Sequence, residues 1–138
     1  MTAKDRIIAT LVGTIVLFLL GWLFYGFLLM NFYAENAGSV SDMMRAEEDI
    51  IWWALILGNV FQAYLLVYVF NKWAKITSFS TGLKAGATIG LIIGLAINLS
   101  MFGTTNSMNL TSALVDPFVS MVMMGVTGGV IGVLIGRK

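Results

Sequence analysis

Three amide side chains have the residue type and spacing that best suit recognition chemistry: Asn59, Gln62 and Asn98. Each lies in a long stretch without charged residues. Asn59 and Gln62 are three residues apart, so they share one face if their segment is helical. An amide both donates and accepts hydrogen bonds, which suits either a bond between helices or a site for a polar solute. Residue counts along the two segments allow Asn59 and Asn98 to meet, so we predict that the three amides form a candidate polar site within the membrane.

Composition excludes most other chemistry. The 138 residues include no Cys and no His, which excludes disulfides, zinc sites, thiol nucleophiles and imidazole bases. Met occurs nine times and thioethers suit Cu(I), but no Cys or His supports a copper relay. Eight cations spread along the chain form no basic patch for nucleic acid. We predict no catalytic activity, no cofactor, no metal site and no nucleic-acid partner.

The elements that must position these residues are membrane spans. Hydrophobic residues make up 59% of the chain and charged residues 11%, whereas a soluble domain has about a quarter charged. Four stretches lack charge over about 20 residues or more, enough to cross a bilayer, and they do not alternate as barrel strands do. The sequence predicts one all-α membrane domain over 1–138, a bundle of four transmembrane helices at about 7–32, 50–71, 82–102 and 117–136.

The distribution of charge predicts an orientation. If the N-terminus is cytoplasmic, seven of the eight cations lie inside and only Arg45 lies outside. Cations favour the cytoplasmic side of a membrane, so both termini are predicted to be cytoplasmic. Tyr33 fits this map as an aromatic anchor at the outer interface. The seven inside cations are Lys4, Arg6, Lys72, Lys75, Lys84, Arg137 and Lys138.

Asp116 and Pro117 are predicted to begin the fourth helix. Asp is a preferred N-cap, and Pro is favoured at the first helical position. On this map no ionisable side chain lies inside a span. Such residues are typical of proton relays and ion-coupled sites, so their absence argues against a proton-coupled pump.

Glycines recur at helical spacing in the last two spans. Four residues is just over one turn, so each row forms a stripe without side chains. Stripes of this kind let membrane helices approach closely, and we predict that helices three and four pack through them or pack on a neighbouring subunit. The alternative is that a ring of such helices lines a pore. The residues are Gly82, Gly86, Gly90 and Gly94 in span three and Gly125, Gly128, Gly129, Gly132 and Gly136 in span four.

Two short segments carry a resemblance to a known family. They are residues 21–26, GWLFYG, in the first span, and residues 114–118, LVDPF, before the glycine-rich last helix. Together with the glycine-bearing third helix, they make the chain similar to an uncharacterised bacterial family of four-helix membrane proteins, domain of unknown function 1761. The resemblance implies the fold and a bacterial inner membrane, but no reaction. Its matching positions here are Trp22, Tyr25 and Asp116.

These observations predict a non-enzymatic helix-packing module. Its partners would be the lipid bilayer and either copies of itself or a larger membrane complex in which it is an accessory subunit. The glycine stripes, the uncharged spans and the short loops support this prediction. The alternative is a small oligomeric channel or transporter for an ion or small solute. Flux into liposomes would favour the alternative, and a stoichiometric partner would favour the packing module.

Overall fold

The computed structural model describes residues 2–39 and 47–137, and this part of the chain contains helices but no β-strand. Arg45 and Lys138, which entered the prediction of orientation, lie outside the described residues. Two π-helical turns, Phe24–Leu28 and Val69–Ala74, directly follow α1 and α3. The α-helices are α1 (Ala3–Leu23), α2 (Met30–Glu35), α3 (Trp52–Tyr68), α4 (Phe79–Thr104) and α5 (Leu110–Gly136).

Four helical segments are long and apolar enough to cross a membrane. Hydrocarbon offers no partner for backbone N–H and C=O groups, and a helix satisfies these groups within itself. The prediction of an all-α chain with four such helices is therefore confirmed. The segments are Ala3–Leu28, Trp52–Ala74, Phe79–Thr104 and Leu110–Gly136.

The last spanning helix begins earlier than predicted. Asn109 is its N-cap, and its side chain accepts a hydrogen bond from the Ser112 N–H at 2.9 Å. The prediction that Asp116 caps the helix and Pro117 opens it is wrong, because Asn109 supplies the cap and α5 accommodates Pro117 as a buried interior residue. A proline removes one backbone hydrogen bond, and membrane helices tolerate this loss. Asp116 therefore lies within the candidate spanning segment Leu110–Gly136, whereas the sequence predicted it just before the fourth span.

α4 and α5 form an antiparallel hairpin with the most extensive helix contact in the described chain. α1 packs against both α3 and α5, whereas α3 touches α5 only slightly. The three helices α1, α3 and α5 meet at Gly13, where an added Cβ would lie 2.9 Å from Ile131 Cδ1 and 3.0 Å from Ala63 Cβ. Fully buried Leu17 and Leu66 belong to the same core.

The outward faces of the bundle are apolar, as contact with lipid requires. Exposed side chains include Ile15 on α1, Phe61 on α3 and Ile92 on α4. Trp53 near the start of α3 and Trp73 in the π turn at its other end are each 72% exposed. Tryptophan is enriched at both membrane–water interfaces, so these two side chains mark the two ends of one span.

Candidate functional site

Asp116 lies at the centre of a group of hydrogen-bonded polar side chains. Tyr25 Oη donates to Asp116 Oδ1 at 2.7 Å, and Tyr33 Oη donates to the same oxygen at 2.5 Å. Asn98 Nδ2 donates to Asp116 Oδ2 at 2.8 Å. Both carboxyl oxygens are therefore engaged, and all three of these partners are donors. We call Tyr25, Tyr33, Asn98 and Asp116 the Asp116 cluster.

Each member of the Asp116 cluster comes from a different helical segment. Tyr25 lies in the π turn Phe24–Leu28, Tyr33 in α2, Asn98 in α4 and Asp116 in α5. A π turn is wider than an α-helical turn, so it changes the face on which the following residues lie. The rings of Tyr25 and Tyr33 are tilted with centroids 5.2 Å apart, and both hydroxyls reach one oxygen. A single carboxyl group thus joins three other segments to α5.

The cluster lies near one end of the bundle. Asp116 is six residues past Leu110, which is roughly 9 Å along the axis of α5. The 27 residues of α5 extend about 40 Å, roughly 10 Å more than the hydrocarbon core. A centred α5 therefore places Asp116 close to the boundary of the membrane. Asp116 is half-buried, and Asn98 is only 7% exposed.

Tyr33 lies outside the four spanning segments, and its phenol is partly shielded from water. Burial raises the pKa of Tyr33 well above its ordinary value of 10.0, and the hydrogen bond to Asp116 acts in the same direction. The neighbouring Tyr25 raises this pKa further. Tyr33 therefore stays neutral at physiological pH and keeps donating to Asp116.

We expect Tyr33 to make the fold less stable at alkaline pH. With a raised pKa, the folded state holds the phenol proton more tightly than the unfolded state does. The resulting contribution is complete below pH 10.0 and declines progressively above it. Thermal unfolding in detergent, followed from about pH 8 to about pH 12, should show a Tm that falls more steeply for the parent chain than for Tyr33→Phe. Parallel profiles for the two proteins would contradict this assignment.

The structure does not bring the three predicted amides together. Asn98 Nδ2 donates to the Gly94 carbonyl oxygen at 2.8 Å as well as to Asp116. Asn59 and Gln62 lie on α3, which packs on α1, whereas Asn98 lies on α4, which packs on α5. Neither Asn59 nor Gln62 forms a hydrogen bond with a described residue, and Gln62 is exposed. The reason is that α3 and α4 belong to different helix pairs.

A second set of hydrogen bonds lies at the same end of the bundle. Asn109 Nδ2 donates to Asn36 Oδ1 at 3.0 Å, and the Asn109 N–H donates to the Asn36 carbonyl oxygen at 3.2 Å. Ala37 and Met108 form an isolated antiparallel bridge beside them. These bonds join the segment after α2 to the loop before α5, so they help to fix Tyr33 near Asp116.

The glycines predicted to form stripes in spans three and four lie where α4 meets α5. An added Cβ on Gly90 would lie 2.5 Å from the Ser120 carbonyl oxygen, and one on Gly94 would lie 2.9 Å from Pro117 Cα. On Gly82 and Gly86 it would overlap carbonyl oxygens of α5. For the glycines of span four, the atoms nearest to an added Cβ belong to Ala87 for Gly125, Gly82 for Gly128, Phe79 for Gly129, Ser78 for Gly132 and Thr77 for Gly136.

Two of the three positions indicated by the family resemblance meet in the Asp116 cluster, namely Tyr25 and Asp116. Trp22 is exposed and stacks on Phe27, with ring centroids 6.1 Å apart. Sequence reasoning assigned Tyr33 to the membrane interface and missed its bond to Asp116. The spacing of Tyr25 and Tyr33 gave no signal, because the π turn that contains Tyr25 departs from the regular helical period. The described residues contain no group of three His, Cys, Asp or Glu side chains that could hold a metal ion.

Comparison with known proteins finds a family match over most of the chain. The family described as Protein of unknown function (DUF1761) matches residues 8–132. This match confirms the resemblance that the two short segments indicate, and it includes all four members of the Asp116 cluster. No curated protein and no solved structure matches the chain.

Proposed function

Since this chain belongs to the DUF1761 family, whose description gives no activity, we propose its function from its own residues: it is a non-enzymatic helix-packing module of a membrane. Acid–base or nucleophilic catalysis needs a free base beside a reactive group. The chain has neither Cys nor His, and the carboxyl group of Asp116 already accepts three hydrogen bonds. The cluster is therefore better suited to holding helices than to moving protons.

The α4–α5 hairpin supports a packing role. In lipid, helices associate by close packing and hydrogen bonds rather than by hydrophobic burial. The glycine rows let the two backbones approach so closely that a side chain on Gly90 or Gly94 would meet α5 within 3 Å. Since the glycines of α4 and α5 face each other, we propose that a partner protein binds another face.

The exposed and unpaired side chain of Gln62 is the observation that carries the proposal. It lies near the middle of the span Trp52–Ala74, where its side chain is exposed and has no hydrogen-bond partner in the described chain. Leaving an amide unpaired in hydrocarbon is unfavourable, so this face requires a polar partner. Gly58 lies one turn earlier, and no described atom lies within 4 Å of a Cβ built on it. A second helix can therefore approach at Gly58 and reach the Gln62 amide.

A second copy of the chain fits this face best. The Gln62 amide both donates and accepts, so two such amides pair with each other. Copies inserted in the same orientation are related by a two-fold axis along the membrane normal, and that symmetry places Gln62 opposite its counterpart at equal depth. In a larger complex, another subunit with a polar residue at that depth would take the same place.

We further propose that the module lies in the cytoplasmic membrane of a bacterium with both termini inside. The bundle supports this orientation because it groups cations at one end. Lys4 and Arg6 begin α1, Lys72 and Lys75 follow α3, and Arg137 follows α5. Cations near the ends of spans favour the cytoplasmic side.

Native mass spectrometry of the protein in mild detergent tests the packing role. We expect a dimer or higher homo-oligomer, and we expect Gln62→Leu to weaken it by about 1 kcal/mol, roughly fivefold in Kd. Gly58→Leu should block the close approach and weaken it further. Gly103→Leu is the matched control, because a Cβ built on Gly103 in α4 also has no described atom within 4 Å. A parent chain that is monomeric and free of partner subunits, or an equal loss with Gly103→Leu, would contradict the proposal.

An oligomeric channel or transporter is the alternative function. It requires a water-filled path, and the glycine rows leave little space for one between α4 and α5. Liposomes separate the two functions. Flux of ions or small neutral solutes above that of empty vesicles, abolished by Gln62→Leu, would favour the channel.

A further inference from the structure

A groove of about 480 Å³ opens between the end of α3 and the start of α4. It forms because these two helices pack on different partners, α3 on α1 and α4 on α5. Its walls are mainly apolar. They comprise Val69, Phe70 and Ala74 from the π turn after α3, Ile76 from the connecting segment, and Ala85 and Ile89 from α4.

Lys84 supplies the positive charge in this groove. Its side chain is exposed, and it forms no ion pair and donates no hydrogen bond within the described chain. The hydroxyls that also line the groove have partners of their own on α4. Thr88 Oγ1 donates to the Lys84 carbonyl oxygen at 2.8 Å, and Thr81 Oγ1 lies 2.7 Å from Ser78 Oγ. The Lys84 ammonium is therefore available to an anionic ligand.

The depth of Lys84 fits the boundary between hydrocarbon and headgroups. It is five residues past Phe79, which is roughly 8 Å along α4. The 26 residues of α4 extend about 39 Å, so about 5 Å at each end lies outside the hydrocarbon core. Lysine at this depth extends its stem along apolar surface and its ammonium towards the headgroups.

We propose that this groove binds an anionic phospholipid. The phosphate of the lipid lies at the Lys84 ammonium, and one acyl chain lies along the apolar wall formed by Phe70, Ala85 and Ile89. The unpaired cation favours an anionic headgroup over a zwitterionic one, and the apolar walls favour a chain over a soluble anion. Because the groove is open at the surface of the bundle, the bound lipid stays in contact with the surrounding bilayer.

Native mass spectrometry with added lipids tests the headgroup. We expect the full chain in mild detergent, given equal amounts of phosphatidylglycerol and phosphatidylcholine, to retain mainly phosphatidylglycerol. Lys84→Gln should lower the ratio of the two retained lipids about fivefold, and Lys84→Arg should preserve it. Lys4→Gln is the matched control, because it removes the same charge from the start of α1, outside the groove. An unchanged ratio in Lys84→Gln, or an equal loss in Lys4→Gln, would overturn the proposal.

A second pair of measurements tests the acyl chain. Ala85→Leu partly fills the groove and leaves every charge in place, so it should reduce retention of phosphatidylglycerol. Phosphatidylglycerol should also raise the Tm of the parent chain, whereas inorganic phosphate at the same concentration should not. Equal protection by phosphate would mean that the site binds any anion, and full retention by Ala85→Leu would mean that no acyl chain occupies the groove. Either result would overturn the proposal.

Discussion

Gly86→Ala is expected to destabilise the fold by about 3 kcal/mol, the upper part of the usual range for overpacking. The added Cβ would overlap the carbonyl oxygen of Met124 and lie 3.2 Å from Gly128 Cα. Both atoms belong to the α5 backbone and cannot rotate away, so α4 and α5 would have to separate along their length. The better helix propensity of Ala, worth up to about 1 kcal/mol, does not offset that separation.

Gly21→Ala is the matched control for this prediction. Gly21 also lies in a spanning helix, but a Cβ there would be 3.6 Å from Met123 Cε, an ordinary van der Waals contact. The Tm of Gly21→Ala in detergent should equal or exceed that of the parent chain. Gly86→Ala should unfold at a temperature many degrees lower. Equal Tm values for Gly86→Ala and Gly21→Ala would contradict the close approach of the α4 and α5 backbones.

Asp116→Ala is expected to cost about 3 kcal/mol, because it removes the acceptor of three hydrogen bonds at once. Asn98 is 7% exposed, so its freed donor cannot reach water easily. The Tyr25 and Tyr33 hydroxyls lie closer to the surface and find water more readily, which limits the total. The loss should appear as a lower Tm and as release of α2 from α5.

Asp116→Asn distinguishes the role of the acceptor oxygens from that of side-chain volume. The new amide keeps one acceptor for the tyrosines but turns an NH₂ group towards Asn98 Nδ2. Asn98 cannot turn without losing its bond to the Gly94 carbonyl oxygen. We expect a Tm between those of the parent chain and Asp116→Ala. Asp49→Ala, at an exposed acid in the turn Glu47–Asp49, is the control and should leave the Tm nearly unchanged. Equal effects of Asp116→Ala and Asp49→Ala would contradict a structural role for the cluster.

The spanning helices were predictable because apolar length is a local property. A stretch of about 20 residues without charge is long enough to cross a bilayer, and this can be read from the stretch alone, without knowing what it packs against. The start of α5 was not predictable in the same way. Asp116 and Pro117 match a helix start, and so do Asn109 and Ser112 further upstream. Only contacts with the rest of the bundle decide between two valid caps.

The Asp116 cluster was predictable only as separate residues. Asn98 drew attention as an amide in a span, and Tyr25 and Asp116 as positions in a family resemblance. Their meeting depends on the π turn Phe24–Leu28 and on the bonds between Asn36 and Asn109. Local residue spacing predicts neither the position of the π turn nor the approach of two segments that are distant in sequence.

The tryptophans near the two ends of the segment Trp52–Ala74 indicate the bilayer thickness that this protein fits. Trp53 and Trp73 are 20 positions apart, which corresponds to about 30 Å along a helix and matches an average hydrocarbon core. The α4–α5 hairpin is longer, and its close backbone contact prevents its helices from shortening or sliding separately. In a thinner bilayer the whole molecule would have to tilt, which has a modest energetic cost per ångström of mismatch. Membranes of different thickness would therefore retain this protein to different degrees, independently of any binding partner.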